Sequence, residues 1–219
     1  MKYVVFHLET GGLNPFEHSI LELGAIVEDT EKKYPLDEIP KFQSLIQYDV
    51  YRGDAMALYR NRELLLQISK NENKKKMILT LDNLAATLYA WLSKHIDTTI
   101  DDSNRMLDFN AFNKQYDAEG AVEYQNQKTL LINVAGKNFG VFQHRFLQQI
   151  PDIDKFLGFN HRFMDPAILF FNPAIDKVLP GTEECKRRAG LEITGGEKIP
   201  SAISECWDVI CMFRQKLNY

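Results

Sequence analysis

An unbroken apolar run, Tyr3-Val4-Val5-Phe6, leads straight into His7-Leu8-Glu9 and then into Thr10-Gly11-Gly12-Leu13. Bulky β-favouring residues ahead of a Thr-Gly-Gly turn specify a strand that stops abruptly. That strand delivers His7 and Glu9 to one sheet edge, and Thr10 to Leu13 turn away from it. Ser19 to Asp29 (SILELGAIVED) reads as a second strand with apolar positions suited to the centre of a sheet, and Lys41 to Asp49 as a third. Helices are expected around 60–70 and 81–95, the latter with Thr80-Leu81-Asp82 as its start and Leu84, Leu88, Leu92 and His95 along one face. Lys128 to Ala135 is a buried strand, Val141 to Gln149 a helix, and helices near 182–190 and 201–217 complete the order. The expected class is α/β, a central mixed sheet flanked by helices.

Composition narrows the function classes. With 219 residues, 45% hydrophobic and 26% charged, the chain is expected to form a single domain over 1–219. Residues 96–129 are a polar insertion that also carries Met106, Phe109, Phe112, Tyr116 and Tyr124. Its bland reading is a surface loop, its sharper one a protein-binding arm, since a loop has no need of so many aromatics. Lys70 to Lys76 reads as a solvated loop. No apolar run approaches a membrane span and no secretory leader is evident, so a cytoplasmic protein is expected. Cys185, Cys206 and Cys211 lack metal-site spacing and are expected to be free, buried thiols. The net charge of −4 argues against tight non-specific duplex binding, but not against holding a short single-stranded end.

Three segments, in order, carry a family resemblance. His7-Leu8-Glu9-Thr10-Gly11-Gly12-Leu13 resembles the first motif of the DEDD 3′-5′ exonucleases, the superfamily of proofreading domains, RNase T and oligoribonuclease. Val134 to Leu147 (VAGKNFGVFQHRFL) resembles the second motif, and Pro200 to Asp208 (PSAISECWD) the third. The segments around Asp165-Pro166 and 179–191 are similar to connecting segments of the same group. The resemblance implies an RNase H-like fold. It also implies four carboxylates and a histidine base at positions which here hold His7, Glu9, Gln143, Glu205 and Pro200. Glu9 is retained and Glu205 is one methylene longer than the family's Asp.

The substitutions change the chemistry the resemblance would imply. Two catalytic divalent ions need clustered negative charge from hard oxygen ligands. Glu9 and Glu205 supply about −2 where the family supplies about −4, and Pro200 has neither a titratable group nor an N–H. His7, Glu9 and Glu205, with Gln143 nearby, form a ligand set better suited to manganese, iron or zinc than to magnesium. The plainer reading of His7 is a neutral imidazole hydrogen-bonded at a strand edge. No cofactor is expected; if there is one, it is a single divalent metal (Mn, Mg or Zn).

The surrounding frame still fits the family. The resemblance implies that backbone groups near Thr10, Gly11 and Gly12 grip a terminal nucleotide and that Leu13 wedges beside the last base. Lys137, Asn138, Phe142, Arg145 and, further off, Arg162 are the other candidates for contact with nucleic acid; for Phe142 a core position is the better expectation. A pseudo-exonuclease that binds 3′ ends or nucleotides without efficient hydrolysis is the favoured expectation. The alternatives are a protein-interaction module, acting as decoy or inhibitor through 96–129, and a weak exonuclease with a remodelled metal site. Nothing in the sequence separates RNA from DNA.

Overall fold

A computed structural model describes residues 1–70, 77–96, 129–191 and 201–219. Of the 96–129 insertion only its two end residues fall among these, and Pro200 and residues 71–76 also lie outside them. The sheet has six strands: β1 (Lys2–Thr10), β2 (Ile20–Asp29), β3 (Lys41–Gln47), β4 (Met77–Thr80), β5 (Leu130–Ala135) and β6 (Leu157–Met164). Their spatial order is β4-β3-β2-β1-β5-β6. β1 pairs antiparallel with β2 and parallel with β5, while β3–β4 and β5–β6 are also parallel pairs. This is the mixed α/β sheet of the RNase H-like fold. Sequence reading missed β4 and β6. Both are edge strands: β4 is four residues long, and β6 is mostly half-exposed, so neither carries a continuous apolar signal.

The helices are α1 (Ala55–Arg60), α2 (Arg62–Lys70), α3 (Leu81–Leu92), α4 (His144–Leu147), α5 (Ile153–Phe156), α6 (Pro166–Leu169), α7 (Thr182–Arg188) and α8 (Ala202–Leu217). A π-helical turn, Phe139–Gln143, precedes α4, so the expected helix over 141–149 is broken and shorter. Thr80 precedes α3 as expected, but its side chain makes no cap; Asn83 Nδ2 instead donates to Thr80 Oγ1 at 3.0 Å. Leu84, Leu88 and Leu92 are buried, and His95, beyond the helix end, packs against Trp91.

Alternation along β1 divides the core in two. Val4, Phe6 and Leu8 join α3, the π-turn and α4 on one face. Tyr3, Val5 and Ile26 meet α6, α7 and α8 on the other. β2 is buried at nearly every position, as a central strand must be, and it includes two fully buried carboxylates, Glu22 and Glu28. Each is paired. Glu28 takes a bidentate Arg214 at 2.7 Å through both oxygens. Glu22 accepts from Gln43 Nε2 at 2.7 Å and from the Ala202 N–H at 2.9 Å, which satisfies an orphan donor at the start of α8.

α8 is therefore docked at both ends. Its start is capped by Ser201 and Ser204 reciprocally. Ala202 lies so close to β2 that a Cβ on Gly24 would come within 2.7 Å of its backbone. Cys206 is fully buried over Val5 and Gly24, and the Tyr3 and Tyr219 hydroxyls hydrogen-bond near the helix end. All three cysteines are free; Cys185 and Cys206 are buried as expected, whereas Cys211 is only half-buried.

Outside the sheet, Arg188 ties α7 to the preceding segment. Its Nη2 donates to Asp176 at 2.6 Å and its Nε to Glu184 at 2.7 Å, while Arg187 also grips Glu184. Hydrogen bonds from Arg188 hold the Asp176 carboxyl at about 2, against an ordinary 3.8. Those from Arg187 and Arg188 hold Glu184 at about 2, against 4.5. Both folded-state values are depressed, so this contribution is complete above about pH 4.5 and is lost as pH falls toward 2. The urea midpoint of the natural chain is expected to fall more steeply across that window than that of Asp176→Asn. Parallel curves would show that the Asp176 carboxylate contributes nothing.

Candidate nucleic-acid site

The motif segments converge at the C-terminal end of β1. His7 and Glu9 emerge on the α8 face, half-buried, with His7 Nε2 3.3 Å from Glu9 Oε1. In the β1–β2 register His7 lies opposite Gly24 and Glu9 opposite Glu22. The candidate carboxylate thus stands beside a second, fully buried one which sequence reading passed over. The signal was there: an acidic residue inside the otherwise apolar run of β2 has to be held by donors.

The neighbouring strand brings in Gln143. Gly136, just past β5, sits against Phe6: a Cβ there would lie 3.0 Å from the Phe6 carbonyl oxygen and 3.5 Å from Gln143 Nε2. Gln143 is 2% exposed and donates to the Lys137 carbonyl at 2.8 Å, while its Oε1 has no partner among the described residues. The π-turn that carries it begins after Asn138, whose left-handed backbone (φ 54°) is fixed by its N–H donating to Asp165 at 2.7 Å. Asp165 also caps α6 through the Ala167 N–H. Insertions of this kind in a helix re-aim side chains, and here the turn directs Gln143 inward while Val141 faces solvent.

Glu205 is half-buried in the first turn of α8, placed by the Ala202–Gly24 contact one turn earlier. His7, Glu9 and Glu205 are not gathered into one ligand group. Among the described residues no three His, Cys, Asp or Glu side chains form a cluster that could hold a metal ion. On the flank of α8, Lys186 of α7 is 2.6 Å from Asp208; burial works against its charge, but the Asp208 contact and the field of Glu205 outweigh that and raise its pKa.

The Thr10–Leu13 turn is fixed by contacts with residues 52–54. The Gly11 N–H donates to the Ser19 carbonyl at 2.8 Å, so it is not directed at a ligand, contrary to what the resemblance implied for it. The Asp54 N–H donates to the Gly11 carbonyl, and Thr10 Oγ1 to the Gly12 carbonyl. A Cβ on Gly11 would sit 2.3 Å from the Arg52 carbonyl, and one on Gly12 2.2 Å from His18 Nδ1, which explains both glycines by close approach. Leu13 projects from this turn, 79% exposed. Phe139 is buried among Phe6, Phe159 and Phe163; Phe142 is half-buried and packs on Phe146, on the core side as expected. His144 packs against Phe139 and Phe159, and burial lowers its pKa. Lys137 is half-buried, and Arg145 and Arg162 are exposed.

Solved nucleases are similar to this chain in fold. Escherichia coli exonuclease I in complex with a dT13 oligonucleotide is 14% identical over 99% of this chain and 42% of its own, with a TM-score of 0.54. Cell-death related nuclease 4 is 9% identical over 99% of this chain and 64% of its own, with a TM-score of 0.57. The fold is that of the exonucleases. The zinc-ion-bound form of the E. coli exonuclease I complex with single-stranded DNA superposes similarly, at TM-score 0.56 and 12% identity over 99% of this chain and 40% of its own. This chain thus spans about two fifths of exonuclease I. No protein-family profile matches the sequence, and no curated protein does. No helix among the described residues of this exonuclease fold is long and apolar enough to cross a membrane.

Proposed function

We propose that this chain is an exonuclease-fold protein that holds single-stranded 3′ ends or nucleotides without hydrolysing them efficiently. The observation that carries the reading is the His7–Glu9 contact at 3.3 Å. An imidazole stands where the resembling family has a metal-binding carboxylate, and it engages the one carboxylate kept in that strand. The residues do not fit a pair of magnesium ions, which need several convergent carboxylate oxygens. Gln143 brings a neutral amide to the third position, and Glu205 is not clustered with the other two.

Binding is supported by different groups. Leu13 is exposed at the turn, Lys137 and Arg145 lie on the second-motif segment, and a pocket with fewer carboxylates than the resembling family repels phosphate less. Exonuclease I, which shares the fold, was determined with a dT13 oligonucleotide. The test is a labelled short RNA and its DNA counterpart, incubated with EDTA, Mg²⁺ or Mn²⁺ and read for both shortening and binding. Binding without shortening, indifferent to EDTA, is the expected result. Stepwise shortening abolished by EDTA and by Glu9→Gln would mean a rebuilt catalytic site instead. Absence of binding would shift attention to a protein partner.

A further inference from the structure

A cleft of about 320 Å³ opens beside the candidate site, between the loop that follows Leu13, the 48–52 segment and the end of α4. It continues the site along both of its motif segments: Phe16 and His18 lie just beyond the Gly11–Gly12 turn, and Phe146 and Gln149 just beyond Gln143. Phe16 is 71% exposed, and the Arg145 guanidinium lies 5.9 Å from its ring centroid. An exposed aromatic with a cation over its ring, at a cleft also lined by Tyr48 and Val50, is the pairing by which single-stranded nucleic acids are held.

We propose that this cleft is a nucleobase subsite, in which an unpaired base stacks on Phe16 while its phosphate lies against Arg145 and Arg52 at the rim. This rests on the nucleic-acid reading above and adds a second point of attachment to it. The volume is at the low end for small-molecule sites and suits one nucleotide, not a duplex. Charge sets the orientation. Glu17 and Asp49 also line the cleft and repel a phosphate placed inside it, so the base goes in and the phosphate stays out. Carboxylates accept from exocyclic amino groups, which favours adenine or cytosine over thymine or uracil. None of these groups needs a metal.

The experiment uses the full chain and short labelled oligo(dA) strands carrying one abasic residue, moved stepwise from the 3′ end, with EDTA present. Phe16 is exposed, so Phe16→Ala leaves the fold intact, and Phe16→Trp keeps a stacking face. In the natural chain an abasic residue at one position is expected to weaken binding about tenfold. Phe16→Ala is expected to lose about tenfold on the intact strand and to be indifferent to that abasic position, while Phe16→Trp binds like the natural chain. Competition by free AMP that disappears in Phe16→Ala would assign the cleft to a mononucleotide's base; an abasic effect without AMP competition assigns it to the strand. Equal binding of every strand by the natural chain and Phe16→Ala overturns the subsite alone. Failure of the natural chain to bind any strand overturns the subsite and the nucleic-acid reading together.

Discussion

Glu28→Ala is expected to destabilise the chain by about 3–5 kcal/mol, a large share of the about 5–15 kcal/mol that keeps a domain folded. Glu28 is 0% exposed and Arg214 9%. Removing the carboxylate leaves a guanidinium between β2 and α8 with its two 2.7 Å acceptors gone. The Trp207 ring, 5.1 Å from the Arg214 carbon, offers a cation–π contact that replaces only part of this. The cost is that of an orphaned charge and not the net worth of the pair. Glu28→Leu combined with Arg214→Met is accordingly expected to recover most of the loss. Urea unfolding midpoints of the three proteins measure it. A loss below about 1 kcal/mol in Glu28→Ala, the range of an exposed pair, would mean that water reaches this interface.

The second large effect concerns the site. His7→Asp with Gln143→Asp places carboxylates at both vacated motif positions beside Glu9. Without metal the double variant is expected to be less stable than the natural chain. The His7–Glu9 contact becomes a like-charge pair, and a carboxylate replaces an amide at a position only 2% exposed. With Mg²⁺ the order reverses in sensitivity: saturating ion at about 100 times its dissociation constant adds about 2.7 kcal/mol to the variant and nothing to the natural chain. Thermal melts with EDTA and with Mg²⁺ read this without any assumption about catalysis. A magnesium-dependent rise in the natural chain itself would sink the metal-free reading. A double variant blind to magnesium would show that Glu205 stands too far off to complete a site.

Much of the frame was legible because burial writes itself into apolar runs. β1, β2 and β5 are continuous hydrophobic strands, and α3 and α8 carry apolar residues at helical spacing, so their places followed from the letters. The edge strands β4 and β6 did not, because one is too short and the other too polar for a period to emerge. The three motif segments gave the candidate site, and they do meet around the end of β1. What stayed hidden were partners separated by most of the chain. The acidic letters inside the apolar run of β2 were there to read, but the donors that hold Glu22 and Glu28 come from the start and the end of α8, most of the chain away. Phe16 was unremarkable in sequence, a lone aromatic in a polar loop, until Arg145 was found over its ring.

The strand order also dictates a sequence of events in folding. β1 precedes both elements that cover it: one of its edges is closed by β5, with Val4 opposite Val134, and one of its faces by α8. The bond between Tyr3 and Tyr219 spans 216 positions. A nascent chain can form the β1–β2–β3 meander early, since those pairings are local, but the apolar run Tyr3 to Phe6 of β1 stays uncovered on one edge and one face until β5 and α8 have been made. Such a protein is slow to close and exposed to aggregation while it waits. Truncations from the C-terminus are therefore expected to be insoluble and not merely weakened, and chaperone dependence during synthesis follows from topology alone.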